Sequence, residues 1–348
     1  MTDKFLPGVK PVKKILVIRF SSIGDIVLAS PVLRCLKKQL PQAKIHFLTK
    51  LSYKIVTAAN PYVDKFFYYD DNLEELISSL KEEEYDDVID LHNNIRSNKI
   101  KRALQKKSYT INKLTLQKFL LTQLNIDVMP NRHITQRSLD TVSPLNIKDD
   151  GGGLDYFIAK EDEISINDLP TGHLAGYIAI VIGATYFTKK LPAHKISELC
   201  GKINHPIVLL GGKEDAETGR TLAEADPIKI YSACGKFNIS ESADIIKRAK
   251  LVISNDTGML YIACALKRPV IALWGGTSPA LDVEPYYGSN FLSNKADAFF
   301  ENIDLNLRCQ PCSRYGLNKC PLEHFNCMEK MDTDIIAEKV KRRLSGSA

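Results

Sequence analysis

Hydrophobic and polar positions alternate along this chain between short apolar runs and longer stretches with helical spacing. Residues 14–19 (KILVIR) form a continuous, β-branched apolar run, the mark of a strand buried on both faces. Residues 25–40 follow with Val27, Leu28, Val32, Leu36 and Leu40 at helical spacing, stopped by Pro41. The same reading predicts strands at 44–48, 64–69 and 87–91, and helices at 73–83, 97–104, 115–125 and 134–145. Such a repeating strand–helix order builds a mostly parallel sheet with helices on both faces.

The rhythm breaks at 149–153 (DDGGG), one short strand is expected at 155–158, and residues 167–176 carry Pro170, Gly172 and Gly176. The second of these polar stretches reads as a linker, giving a first domain at 1–168 and a second at 169–348. The pattern then restarts, with strands at 177–182, 207–210, 228–231, 251–254 and 270–273. Helices at 193–203, 215–225, 240–249 and 259–266 alternate with them. A last helix, 333–344, carries Ile335, Ile336, Val340 and Leu344 and can pack back on the first domain. The chain's 348 residues exceed what one core normally supports, which agrees with two domains. The expectation is an α/β protein of two Rossmann-like, doubly wound domains facing each other across a ligand cleft.

Composition narrows the partners. No segment reaches the ~18–20 uninterrupted apolar residues of a bilayer span. Residues 1–14 hold no apolar signal region, so a cytoplasmic protein is expected. Residues 1–150 contain 24 Lys/Arg against 17 Asp/Glu, and the rest of the chain 23 against 24, so the first half carries the whole positive excess. That points to an anionic partner such as a phosphorylated glycolipid or membrane surface, with a plain solvated basic surface as the equal alternative. Nucleic acid is not supported, because zinc-finger spacing, an RNP-like aromatic motif and an unbroken basic run are all missing.

Of eight cysteines, Cys35, Cys200, Cys234 and Cys264 sit in apolar or helical runs and read as small buried hydrophobes. The other four form Cys309-x2-Cys312-x7-Cys320-x6-Cys327. Four thiols with one Cys-x2-Cys pair suit a structural zinc; two disulfides or four packed thiols are the alternatives.

The candidate chemistry lies at strand ends. The first strand runs into Phe20-Ser21-Ser22-Ile23-Gly24-Asp25, where Gly24 permits a tight turn and Asp25 opens a helix. By itself, Asp25 reads as a helix cap. The 251–254 strand runs into Asn255-Asp256-Thr257-Gly258, again an acid, a glycine and a helix start. A helix N-terminus there suits a phosphate, and Asp256 suits sugar hydroxyls. Trp274-Gly275-Gly276-Thr277 ends the next strand with glycines that let backbone crowd a ligand.

Two segments, KILVIRFSSIGDIVLASPVLRCLKKQLP and LVISNDTGMLYIACALKRPVIALWGGTSP, closely resemble glycosyltransferase family nine, the ADP-heptose:lipopolysaccharide heptosyltransferases. The resemblance runs from the first strand to the C-terminal helix. It implies a GT-B fold, inversion at the anomeric carbon and no cofactor or divalent metal for catalysis. It implies Asp25 as catalytic base, with Ser22 and Gly24 in the same acceptor-side turn. Asp256, Thr257 and Gly258 would hold the donor sugar and diphosphate. Lys189, preferred over Lys190 for its Lys-x-x-Pro context, would pair with the diphosphate.

Less firmly matched are Glu217, chosen over Glu214 or Asp215 for the ribose, and Phe237 and Ile239 beside the adenine, where core packing is the alternative. His92, Asn93 and Arg96, with His133 and Arg137, would face the acceptor. The sequence departs from the family at Tyr261, where a histidine is usual. The implied protein is a monomer, peripheral on the inner face of the cytoplasmic membrane, moving a heptose or related sugar from an ADP-sugar to an anionic lipid A core acceptor. Two rival readings are a sugar-nucleotide 2-epimerase and a non-catalytic nucleotide-sugar-binding protein.

Overall fold

The computed structural model describes residues 12–292 and 299–345. The first sheet holds β1 (Lys14–Ile18), β2 (Lys44–Lys50), β3 (Lys65–Tyr69), β4 (Asp87–Asp90) and β5 (Lys107–Thr110), in the order β3-β2-β1-β4-β5. The second holds β6 (Ile178–Val181), β7 (Ile207–Leu210), β8 (Ile230–Ser232), β9 (Leu251–Asn255), β10 (Val270–Leu273) and β11 (Phe300–Ile303), in the order β11-β10-β9-β6-β7-β8. Every pairing is parallel. In each sheet the strand order reverses beside the first strand, between β1 and β4 and between β6 and β9. Ligands of doubly wound sheets bind at these switch points.

Strand β1 shows why the apolar runs carry the fold. Ile15 and Val17 point into one layer and Leu16 and Ile18 into the other, all fully buried. Each such side chain contributes about 1.5–3 kcal/mol relative to exposure. The Ile15/Val17 layer is continuous with Ala179, Val181, Val252 and Leu260 of the second domain, so one apolar cluster underlies both halves. No helix among the described residues is long and apolar enough to cross a membrane.

The structure departs from the sequence reading in several elements. The expected 25–40 helix is two, Ile23–Leu28 and Ser30–Gln39, with the break at Ala29 and Pro31 in the first turn of the second. The expected 134–145 helix ends at Asp140. No strand forms at 155–158. There Asp155 pairs with Arg34, and Tyr156 shares a 2.8 Å hydrogen bond with Ser240, pinning a strandless crossing between the halves. The sequence reading does not anticipate strands β5 and β11; both are four-residue sheet edges, KSYT mostly polar and FENI with Glu301 and Asn302 between Phe300 and Ile303.

The last helix, Thr333–Ser345, lies on the second domain rather than returning to the first. Its buried Ile336 and Val340 join Leu199 in the outer core of that domain. Lys202 pairs with Asp334 at 2.8 Å, and Lys339 and Arg342 hold Glu301 of β11.

Candidate functional site

The turn after β1 presents Asp25 in the first turn of helix Ile23–Leu28. Ser22 donates to Asp25 Oδ2 from its backbone N–H at 3.0 Å and from its hydroxyl at 2.9 Å. Arg19 Nη2 lies 2.5 Å from Asp25 Oδ1, and the Asp25 side chain remains 36% exposed. Its burial pushes the carboxyl up, but the Arg19 guanidinium and the Ser22 bonds outweigh that, leaving the pKa below the ordinary carboxylate value. Asp25 is therefore both a capping residue and an ionised carboxylate open to the cleft.

The opposite wall is the loop after β9. Asp256 is buried; its Oδ2 lies 2.7 Å from Lys189 Nζ and accepts from Thr277 Oγ1 at 2.8 Å, and its Oδ1 accepts from Tyr261 OH at 3.2 Å. Lys189 comes from a short turn after β6, so the two sides of the second switch point are joined by this ion pair. Lys190 points elsewhere and pairs with buried Asp215 at 2.7 Å. Thr257 precedes helix Gly258–Ala265, and its buried hydroxyl has no partner among the described residues. A bound oxyanion at that helix N-terminus would satisfy it.

The two walls touch where helix Ile23–Leu28 meets helix Gly258–Ala265. A Cβ on Gly24 would come within 2.8 Å of Tyr261 Cδ2, and one on Gly258 within 2.6 Å of Ile23 Cγ2. Both glycines are required by close approach. Tyr261 sits at this junction, its single hydroxyl proton shared between Val283 O at 2.7 Å and Asp256 Oδ1 at 3.2 Å. Burial and then the Asp256 and Asp25 charges hold the phenol well above its ordinary pKa, so it stays a donor.

On the first-domain side, His92 packs edge-on against Phe20, with ring centroids 5.4 Å apart. Burial, with Arg19 and Lys113 adding, pushes it down to about 4, so it is neutral, and its Nδ1 is buried without a partner. Asn93 is fixed by Asp90 at 2.7 Å and by Ile111 O at 3.1 Å. Arg96 is exposed and lies over the Tyr69 ring at 5.3 Å.

Two expected acceptor residues are spoken for. His133 Nδ1 caps helix Ile134–Asp140 through Thr135 N at 3.1 Å, and its Nε2 lies 2.9 Å from Glu284 O of the second domain. Stacked on Tyr286 and pushed down to about 3 by burial, it is a strut between the halves. Arg137 is buried and binds the carbonyls of Arg132 and Asn112, with Nη2 left unpartnered.

Sequence reasoning missed Arg19, Lys113 and Lys118. Lys113 is held below its ordinary pKa by burial and by Arg19. Lys118 is pushed down to about 8 by burial and by Arg137. Neither ammonium has a hydrogen bond or ion pair among the described residues. They form a cationic group with Arg19 and Arg137 around Asp25, whose carboxylate is already taken by Arg19, so the two lysines are left without an anion among the described residues. Composition hinted at it, but the burial that sets it apart from surface charge arises only in the folded chain.

The remaining donor-side residues are scattered. Glu217 is exposed on helix Ala216–Glu224 and paired with Arg220 at 2.6 Å, so it is not brought to Lys189 and Asp256. Phe237 and Ile239 are half-buried against the shared core. A cavity of about 550 Å³ lies between that helix and β8, lined by Lys213, Arg220, Tyr231 and Lys236 and by none of Lys189, Asp256 or Thr257.

Cys309, Cys312, Cys320 and Cys327 line one small cavity with His324 beside Gly275 and Gly276. Burial, and then the neighbouring thiols, push Cys327 up to about 12. Cys309 Sγ lies 3.9 Å from His324 Nε2. The thiolate set suits a tetrahedral ion, yet no three of these groups bring ligand atoms within 4.8 Å of one another. Cys35, Asp149 and Asp150 do, but Asp150 is already engaged by Arg34 at 2.8 Å.

The profile of glycosyltransferase family 9 (heptosyltransferase) matches residues 73–294. Lipopolysaccharide heptosyltransferase 1 of Campylobacter coli is 26% identical over 309 residues, 81% of this chain and 87% of that protein. Among solved structures, the E. coli ADP-heptose LPS heptosyltransferase II superposes with a TM-score of 0.68 at 19% identity, covering 96% of this chain and 100% of that one. An E. coli heptosyltransferase with ADP-2-deoxy-2-fluoro heptose gives 0.67 at 19% identity, covering 94% and 99%. The fold they share with this chain is GT-B.

Proposed function

The chain belongs to glycosyltransferase family 9, and from that premise we propose that it moves a heptose, or a closely related sugar, from an ADP-sugar to an anionic lipopolysaccharide core acceptor with inversion. The observation that carries the reading is the pairing of Arg19–Asp25 on one wall with Lys189–Asp256 on the other, Tyr261 between them. Asp25, ionised and open to the cleft, accepts the proton of the acceptor hydroxyl as that oxygen attacks the anomeric carbon. Lys189, the Thr257 hydroxyl and the Gly258 helix N-terminus stabilise the departing diphosphate. That positive field serves where another enzyme class uses a divalent metal.

Asp256 is engaged by three donors and is not free to act as a nucleophile, which favours a single inverting displacement over a double one. The unpaired Lys113 and Lys118 favour an anionic acceptor over an epimerase, which needs none. Glu217 reaches a ribose only by releasing Arg220. Phe237 and Ile239 offer apolar walls to adenine. A structural zinc on the four C-terminal thiols belongs to the same reading and requires the sulfurs to draw together.

The enzyme would act in the cytoplasm. Mass spectrometry of a lipid A core acceptor incubated with ADP-heptose and a chelator tests the reading. A gain of one heptose residue is expected; free sugar or an epimerised nucleotide sugar alone would overturn it.

A further inference from the structure

Residues 91–126 contain eight Lys/Arg and no Asp or Glu. Among the described residues only Lys101 of these eight forms an ion pair, with Asp90 at 2.9 Å. The run folds into helix Ile95–Leu104, edge strand β5 and helix Thr115–Leu124, so its charge gathers at the β5 edge of the first sheet.

The last of these helices faces the wrong way for an ordinary core element. Leu116, Phe119, Leu120, Gln123 and Leu124 recur at helical spacing along one side, and Leu116, Phe119 and Leu124 are 66%, 46% and 57% exposed. Ile126 and Val128, just beyond the helix, are each 49% exposed. The opposite side carries Leu121, buried with Leu114, Met129 and Leu281, and Lys118, which senses Asp25 and Arg137. One helix thus lines the cationic group with one face and offers solvent a stripe of large apolar side chains with the other. A contiguous apolar patch bordered by charge marks an interaction surface.

We propose that helix Thr115–Leu124 docks the protein on an anionic lipid bilayer, its outward stripe entering the headgroup boundary and the 91–126 basic run lying against the headgroups. The division of charge and apolar surface is that of an interfacial helix. A second copy of the chain fits less well, because an isologous contact here would set two uncompensated basic runs against each other. The proposal rests on the glycolipid reading above and gives it a direction. The inner face serves the acceptor's anionic head while the outer face stays in the surface that holds its acyl chains.

The test is flotation with phosphatidylcholine vesicles, with and without about 30% phosphatidylglycerol. The wild type should float with the anionic vesicles and about tenfold less with the neutral ones. Leu116→Ser/Phe119→Ser/Leu124→Ser should float about tenfold less on anionic vesicles with unchanged circular dichroism, since the replaced side chains are exposed. Lys106→Gln/Lys107→Gln keeps the stripe, and its binding should be lost at lower salt than wild type. Wild type that ignores anionic vesicles, or a triple variant that floats equally well, overturns the proposal. So does a wild-type dimer that the triple variant abolishes.

A deacylated, water-soluble acceptor separates docking from activity. The triple variant should use it at the wild-type rate and fail only on vesicle-borne acceptor. Wild type that floats but glycosylates neither acceptor refutes the transferase reading and leaves docking standing.

Discussion

Lys189 Nζ and Asp256 Oδ2 lie 2.7 Å apart with both side chains largely buried, joining the loop after β6 to the loop after β9. The next residue, Lys190, takes Asp215 at the same distance. Adjacent lysines on one turn point apart, so one of them faces the helix N-terminus at Gly258 and the other braces the base of helix Ala216–Glu224.

Replacing each lysine separates those roles. Lys189→Met leaves Asp256 buried with only Thr277 and Tyr261, and breaking one side of a buried pair costs about 3–5 kcal/mol before such compensation. The variant should melt below wild type. It should also bind ADP about tenfold or more weakly, the effect of losing one charge-assisted hydrogen bond of ~1.5–3 kcal/mol. Lys190→Met should lose stability and keep its ADP affinity. Calorimetry in the presence of a chelator reads both, and equal affinities in the two variants would remove Lys189 from the donor site.

Lys118 gives the proposed acceptor site a pH signature. Its ammonium titrates at about 8 in the folded chain, against ~10.4 for an unperturbed lysine. The folded state therefore binds fewer protons than the unfolded state between those values, and stability rises with pH across that window. Acceptor binding moves the other way, because the cation that holds the anion is lost as pH rises through about 8. KM for an anionic acceptor should climb above that pH with donor KM steady, and Lys118→Gln should abolish the climb. An identical profile in Lys118→Gln would mean the lysine does not meet the acceptor.

The turn bearing Asp25 is legible because Ile15, Leu16, Val17 and Ile18 form an unbroken apolar run and FSSIGD follows within two residues, so strand, turn and helix are all local signals. The segment 155–158 misleads for the same reason. Tyr156, Phe157 and Ile158 look like a strand, but no neighbouring strand is available, and the Tyr156 hydroxyl is anchored on Ser240 instead. Strand β5 was invisible because KSYT lies at a solvent-facing edge, where no apolar period is needed. His133 and Lys118 show the wider point. Nothing local distinguishes a histidine consumed by Thr135 N and Glu284 O, or a lysine desolvated beside Arg137, from their exposed counterparts. Those identities are set by contacts between residues far apart in sequence.

Asp25→Asn should abolish transfer and spare donor binding. Asp25 stands on the first-domain wall, held by Ser22 and Arg19, while Lys189, Asp256 and Thr257 belong to the second domain. Asparagine keeps the shape and still accepts from Ser22, so the helix start at Ile23 should survive. Removing a general base lowers the rate by about 10²–10⁴-fold, on the order of 3–5 kcal/mol of transition-state stabilisation. The wild-type pH profile follows from the sign of the shift. The Asp25 pKa lies below its unfolded value, so its contribution to stability is complete above the unfolded pKa and is lost as pH falls through the folded one. For the same reason the acid limb of kcat/KM that reports Asp25 should fall below the ordinary carboxylate range, and it should vanish in Asp25→Asn. Turnover by Asp25→Asn near the wild-type level would reduce the residue to a helix cap. His92, neutral and with an unpartnered Nδ1 beside Phe20, would then be the base to examine.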